Sequence, residues 1–153
     1  MALHFEKYAI EANSFLSDYA KALNMDHETA KAGRILSAIL HALRDIIPFE
    51  ESLQLIAQLP MFLKAVYVNG WSVKTKSDKK IKSLDDFIAL IKKYDRIAAD
   101  KDFETKELTE RYLDVTFILL RKYYLSIGEL EDIKSTLPKE LKDLIYTNSY
   151  FNL

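Results

Sequence analysis

The chain has 153 residues, a length that suits one domain or two small units that share a core. Apolar residues form 49% of it and charged residues 29%, a balance typical of globular rather than disordered proteins. The absence of cysteine excludes disulfides, thiolate metal ligands and cysteine nucleophiles. A net charge of −1 gives no overall field that would draw the protein to nucleic acid or to an anionic membrane.

The chain has few helix-breaking residues, and none of its apolar runs has the length of a membrane span. Three glycines and three prolines provide few turn signals, which favours long helices over a strand-rich fold. Glu6, Lys7 and Glu11 interrupt the first residues, which lack the pattern of a signal peptide, and we expect a cytoplasmic protein. The longest uncharged run, 52–63, contains Pro60 and is shorter than the roughly 20 residues that a membrane span needs.

Apolar residues at spacings of three and four predict four helices in the first half of the chain. The first two cover about 4–23 and 27–47, and Asp26 is the predicted N-cap of the second. Pro48 and Pro60 begin the third and the fourth. The third helix is predicted to face inward through its large apolar residues, which are Phe49, Leu53, Ile56 and Leu59.

The second half contains a linker and further helices. Residues 72–83 lack periodicity and are rich in lysine, so we interpret them as a linker. Three helices are predicted over about 84–99, 104–124 and 126–136, and Pro138 begins a last one. The helix at 104–124 is apolar over most of its circumference and is therefore predicted to be the most enclosed.

The two halves share landmarks in the same order, which indicates a duplication. With single-residue offsets, an alignment pairs Asp26 with Asp102, Arg34 with Arg111, Glu51 with Glu129, and Leu59-Pro60 with Leu137-Pro138. The alternative is that two unrelated helical hairpins share Leu and Arg at similar spacings. We predict an all-α fold of about eight helices, arranged as two repeated four-helix units packed into one bundle-like domain. Its parts are a first repeat at 1–71, the linker at 72–83 and a second, diverged repeat at 84–153.

The stretch 34–71 carries a distinctive set of residues. These are Arg34, Leu40, His41, Leu43, Arg44, Asp45, Gln58, Leu59, Pro60, Lys64, Tyr67, Gly70 and Trp71. At these residues the chain resembles DUF2267, a bacterial family of unknown function, and the resemblance covers about 15–72. It implies an all-helical, duplicated fold in a small soluble bacterial protein, and it brings no activity or catalytic residue. The second half lacks equivalents of His41, Pro48 and Trp71, so a site that uses them belongs to the first repeat.

One polar group on the second helix has the residue types of a catalytic site. Arg34, His41 and Asp45 are seven and four residues apart and share a helical face. His41 beside Asp45 fits an oriented base, with Arg34 as an anion clamp. The alternative is a polar pair on a solvated or inter-repeat face. We favour that alternative, because no Ser or Cys motif, second His or Gly-rich turn accompanies the group, and we predict that the protein is not an enzyme.

The acidic residues between the helices of the second half do not form a recognisable metal motif. Asp100, Asp102 and Glu104 alternate, but Thr105 stands where a calcium loop needs Gly and Arg111 where it needs Glu. Asp102 or Thr105 is better explained as a helix cap. The three histidines, which are His4, His27 and His41, are too far apart for a zinc motif. We therefore predict no metal and no cofactor.

Five linker lysines form the only basic cluster of note, and they are Lys74, Lys76, Lys79, Lys80 and Lys82. They fit phosphate binding, but no aromatic residues alternate with them, and we favour a solvated linker. Nucleic acid is thus not the expected partner. The alternative function is polyanion binding through these lysines together with Arg34 and Arg44.

The fourth helix provides the most apolar candidate surface. Tyr67 and Trp71 are four residues apart and fit an exposed aromatic pair, the residue types that dominate interfaces; the alternative is that Trp71 closes the seam between repeats. We predict a non-enzymatic interaction or oligomerisation module that binds an unknown protein or itself. The predicted interaction residues are Arg34, His41, Met61, Tyr67 and Trp71. A further alternative is an apolar ligand bound between repeats, against Phe117 and Tyr124.

Overall fold

A computed structural model describes residues 3–72 and 80–145. Over these residues the chain forms eight α-helices and two 3-10 turns, with no strand, so the all-α prediction is confirmed. None of the helices in this part of the chain is long and apolar enough to cross a bilayer. The lysine-rich segment 73–79 and the tail 146–153 lie outside the described residues.

The helices follow one another in chain order with short connections. In the first half they are α1 (Phe5–Ala22), α2 (Thr29–Ile46), α3 (Phe49–Gln58) and α4 (Met61–Val68). In the second half they are α5 (Leu84–Asp95), a 3-10 turn (Arg96–Ala98), α6 (Ala99–Asp102), α7 (Lys106–Tyr123), α8 (Ile127–Thr136) and a final 3-10 turn (Lys139–Leu144). The lengths of α2 and α3, 18 and 10 residues, recur in α7 and α8. The duplication itself stays a prediction.

Local capping explains several of the boundaries. Ser83 caps α5 in a reciprocal capping box with Asp86, and Thr105 accepts a hydrogen bond from the Leu108 backbone N–H at the start of α7. Of the two predicted caps, Asp102 and Thr105, Thr105 is the one that caps this helix. The prediction for Asp26 was wrong, because α2 begins after Glu28, whose side chain makes no capping bond.

Two of the predicted helices differ from the structure, one in its end and the other in its type. The helix predicted over 84–99 ends at Asp95, because Arg96 adopts a positive φ of 59° that interrupts the helical path. The helix predicted after Pro138 is a 3-10 turn over Lys139–Leu144.

One hydrophobic core joins the two halves, and α2 lies at its centre. The helix packs against α1, α4, α5 and α7 and buries nine of its residues, whereas α7 buries seven. The prediction that the helix at 104–124 is the most enclosed was therefore wrong. A helix that is apolar all round is buried only where other helices cover every side of it. More helices pack against α2 than against α7.

A chain of three hydrogen-bonding groups fastens α1 to α7 inside this core. Thr116 donates its hydroxyl to the Tyr112 carbonyl oxygen at 2.6 Å, so the buried Tyr19 hydroxyl donates to Thr116 Oγ1 at 2.7 Å. Burial raises the pKa of Tyr19, which keeps the phenol protonated.

Replacing Tyr19 by Phe removes one member of this chain while preserving the ring. We expect the free energy of unfolding to fall by about 1 kcal/mol, the usual net value of a buried neutral hydrogen bond. Urea unfolding followed by circular dichroism measures the change. Tyr8→Phe on the same helix is the control, and an equal loss in both variants would contradict the assignment.

Candidate functional site

The outer face of α4 is apolar and exposed. Met61, Ala65 and Val68 recur at spacings of four and three and so lie on one side of the helix. Met61 is 51% exposed and Val68 is 43% exposed. The inner face of the same helix buries Leu63 and Tyr67. The helix therefore has two apolar faces, and only one of them belongs to the core.

Helix α3 also has an exposed apolar stripe. Phe49 and Leu53 are one helical turn apart, and both are exposed, Leu53 to 50%. The prediction that they face inward was wrong, because α3 turns Glu51, Ser52 and Leu55 toward the protein instead. The hydrophobic pattern alone did not show which of two faces the core would cover.

Trp71 packs against the exposed stripe of α3 and against the buried face of α4. Its half-buried ring lies 5.5 Å from that of Phe49, centroid to centroid, and meets the Tyr67 ring edge-on at 5.9 Å. Both contacts are to residues of the first half, so they do not support the alternative in which Trp71 closes the seam between repeats. We call the surface formed by Phe49, Leu53, Met61, Val68 and Trp71 the α3–α4 edge.

Tyr67 does not belong to this surface. Its side chain is completely buried, and its hydroxyl shares a hydrogen bond of 2.7 Å with Ser52 Oγ. Burial raises the pKa of Tyr67. The predicted exposed pair of Tyr67 and Trp71 was therefore wrong, and Tyr67 instead anchors the inner face of α4 to α3.

His41 and Asp45 each bind a different neighbour. The His41 ring makes a 2.7 Å hydrogen bond through Nε2 with the carbonyl oxygen of Val66, and Asp45 accepts a hydrogen bond from the Tyr94 hydroxyl. Burial lowers the pKa of His41, so the ring is neutral near pH 7 and donates to the carbonyl. These bonds account for both side chains as fasteners between helices.

The two arginines of α2 are also committed to partners. Arg44 is buried and donates from Nη1 to the carbonyl oxygens of Tyr67 and Asn69 at 2.7 and 2.8 Å, where α4 ends. Arg34 donates two hydrogen bonds to Asp102, at 2.9 and 3.0 Å. The structure therefore does not bring Arg34, His41 and Trp71 together in one cleft. A polyanion that bound through Arg34 and Arg44 would have to compete with these hydrogen bonds.

The remaining predicted site residues offer little further chemistry. Lys80 and Lys82 are exposed, whereas Lys74, Lys76 and Lys79 lie outside the described residues. Phe117 is buried, and the Tyr124 ring packs against Phe15 and Phe62 at 5.5 and 6.2 Å. Those two aromatic positions belong to the packed core.

Arg34 holds together a pair of buried acids at the junction of α5 and α6. Burial raises the pKa of Asp102, but the hydrogen bonds from Arg34 and Asp95, together with the positive charge of Arg34, lower it below its ordinary value. Asp95, which is hydrogen-bonded to Asp102, has its pKa raised to about 7 by burial and by that neighbouring carboxylate. Only Asp102 is thus firmly ionised at neutral pH.

Asp95 makes stability depend on pH. The folded protein holds the Asp95 proton up to about pH 7, whereas the ordinary pKa of the group is 3.8. The free energy of unfolding therefore falls as pH rises between these values. Asp95→Asn, which mimics the protonated acid, should be more stable than wild type at about pH 8, by on the order of 2 kcal/mol, and nearly equal at about pH 4.

Urea unfolding at both pH values measures this difference. The matched control is Asp100→Asn, an exposed acid nearby on α6, which should leave the pH dependence unchanged. A variant Asp95→Asn that is less stable than wild type at the higher pH would refute the assignment.

A second pair of buried acids lies where α3 meets α8. One carboxylate oxygen from each of Glu51, Glu129 and Asp132 lies within 4.8 Å of the others. Glu51 and Glu129 are buried and Asp132 is exposed. Burial and the Glu51 carboxyl raise the pKa of Glu129 to about 8. We call these three residues the α3–α8 carboxylate cluster, and they are the residues described here that could hold a metal ion.

The prediction of no metal site did not consider this cluster, although a signal for it was present in the sequence. The predicted alignment of the two halves pairs Glu51 with Glu129, which are the third residues of α3 and α8. The pairing of Arg34 with Asp102 could not be predicted in this way, because helical spacing does not connect residues 68 positions apart.

Comparison with known proteins identifies one family. The family described as "Uncharacterized conserved protein (DUF2267)" matches residues 12–144. The match extends well beyond the 15–72 stretch that carries the resemblance and includes most of the second half. None of the curated proteins compared with the chain is significantly similar to it.

Proposed function

We propose a function from the surface of the protein itself, since the chain belongs to the DUF2267 family, whose description carries no activity. In this proposal the protein is a non-enzymatic helical module that associates through the α3–α4 edge. A second copy of the chain is the partner that we expect first. A cytoplasmic location is part of the proposal, because a chain without cysteine suits a reducing compartment.

The observation that carries the proposal is the exposure of large apolar side chains from two adjacent short helices. Phe49, Leu53, Met61 and Val68 are all exposed, and Trp71 joins them through its contact with Phe49. Single exposed apolar residues are ordinary on protein surfaces, but four of them on two consecutive short helices, with Phe49 in contact with Trp71, suit a binding surface. Trp is also among the residues that contribute most to the affinity of interfaces.

The low charge of the edge favours an apolar partner. Between Phe49 and Trp71 the charged residues are Glu50, Glu51 and Lys64, and Glu51 points inward. Such a surface has little with which to select a highly charged partner. A second copy presents the same apolar side chains, and a twofold interface in which each copy uses the same patch is the commonest kind in soluble oligomers.

The contacts of the polar candidates support a role without catalysis. His41 and Arg44 bind backbone carbonyl oxygens, Asp45 binds Tyr94, and Arg34 neutralises a buried acid. Each of these interactions fastens one helix to another. Both arginines of the polyanion alternative, Arg34 and Arg44, are among these fasteners.

A charge placed in the edge should prevent association. We expect wild type to form dimers whose fraction increases with concentration, and Leu53→Glu to be monomeric, because half of the Leu53 side chain is exposed and its substitution leaves the core intact. Size-exclusion chromatography with light scattering measures the mass. Ile10→Glu is the matched control, since Ile10 is 71% exposed on α1, outside the edge.

The result for Ile10→Glu should equal that for wild type. A wild-type protein that remains monomeric at every concentration would contradict self-association. Dimers of unchanged stability in Leu53→Glu would show that association uses another surface.

A further inference from the structure

Two glutamates occupy equivalent places in two different helices and meet inside the protein. Glu51 is the third residue of α3, and Glu129 is the third residue of α8. Their side chains are only 9% and 5% exposed. A glutamate in the first turn of a helix is stabilised as an anion by the helix dipole. Burial opposes that charge, and so does the second carboxylate.

Neither carboxyl has its full set of partners. The Oε1 atoms of Glu51 and Glu129 are both buried without a hydrogen bond. No ion pair is found between either glutamate and a basic side chain within residues 3–72 and 80–145. Buried carboxylate oxygens without partners are costly and call for a proton or a cation.

The third member of the cluster gives it access to solvent. Asp132 is exposed and follows Glu129 by three residues, which places it on the same side of α8. Ions can enter from that side, and water can complete their coordination. The site on this inner side of α3 is separate from Phe49 and Leu53, which are exposed on its outer side.

The separation of the oxygens suits a single ion. Two ligands of one cation cannot be farther apart than twice the bond length, which is about 4.8 Å for Ca²⁺ with bonds of about 2.4 Å. One oxygen from each of the three residues meets that limit, all lying within 4.8 Å of one another. Carboxylates, without nitrogen or sulfur ligands, select hard cations such as Ca²⁺, Mg²⁺ and Mn²⁺.

We propose that Glu51, Glu129 and Asp132 bind a hard divalent cation that links α3 to α8. The two glutamates provide buried ligands from the two helices, and Asp132 closes the site at the surface. The ion neutralises the facing carboxylates, which each bring one oxygen to within 4.8 Å of the others. This inference does not depend on the proposed association through the α3–α4 edge.

Isothermal titration of the full chain with CaCl₂ and, separately, with MgCl₂ tests the site. The buffer is free of chelators at about pH 8.5, because ligands must be deprotonated to bind metal. We expect one ion per chain and a higher unfolding temperature with the ion present. Glu51→Gln and Glu129→Gln should each weaken binding by about tenfold or more, because affinity follows the number of charged ligands.

Two further variants keep the test independent of folding. Asp132→Asn alters only the exposed ligand and should also weaken binding, while Glu131→Gln, an exposed neighbour on α8, should bind as wild type does. The proposal is overturned if neither ion gives heat or a change in unfolding temperature. It is equally overturned if binding persists unchanged in both buried glutamine variants, since the ion would then lie elsewhere.

Discussion

The burial of α2 between helices from both halves of the chain is the constraint on which the rest of the structure depends. Ile35, Ile39 and Leu43 are almost completely enclosed, and each of these side chains contributes roughly 1.5–3 kcal/mol by leaving water. The buried Arg44 guanidinium of α2 needs partners, because an unpaired buried polar group is costly, and the half-exposed Arg34 also binds a neighbouring helix.

Those partners determine how the outer helices are placed. Arg34, near the start of α2, reaches Asp102 across the core boundary, and Arg44, near its end, holds the carbonyl oxygens where α4 finishes. Ser52 then joins α3 to the buried Tyr67. With their inner faces fixed in this way, α3 and α4 have further apolar residues that remain outside. The residues that most resemble a catalytic group therefore hold helices together.

The sequence predicted most of the helices but few of their contacts. Apolar periodicity and the two prolines at 48 and 60 placed α1 to α4 closely, because those signals act within a few residues. The burial of Tyr67 and the exposure of Phe49 and Leu53 were not predictable in the same way, since a helix with apolar residues on two sides gives no sign of which side its neighbours cover. Arg34 and Asp102 are 68 positions apart, a separation that helical spacing cannot connect.

We propose that the protein associates through the α3–α4 edge, and the fluorescence of Trp71 can show whether it does. Trp71 is the only tryptophan in the chain, so intrinsic tryptophan fluorescence reports on this edge alone. The measurement is the emission maximum over a dilution series of the wild-type protein, with Leu53→Glu measured in parallel. The account predicts a shift to longer wavelength on dilution in wild type, as association is lost and Trp71 meets water, and a constant maximum in the variant. An emission maximum in wild type that does not change with concentration, while light scattering shows association, would contradict it.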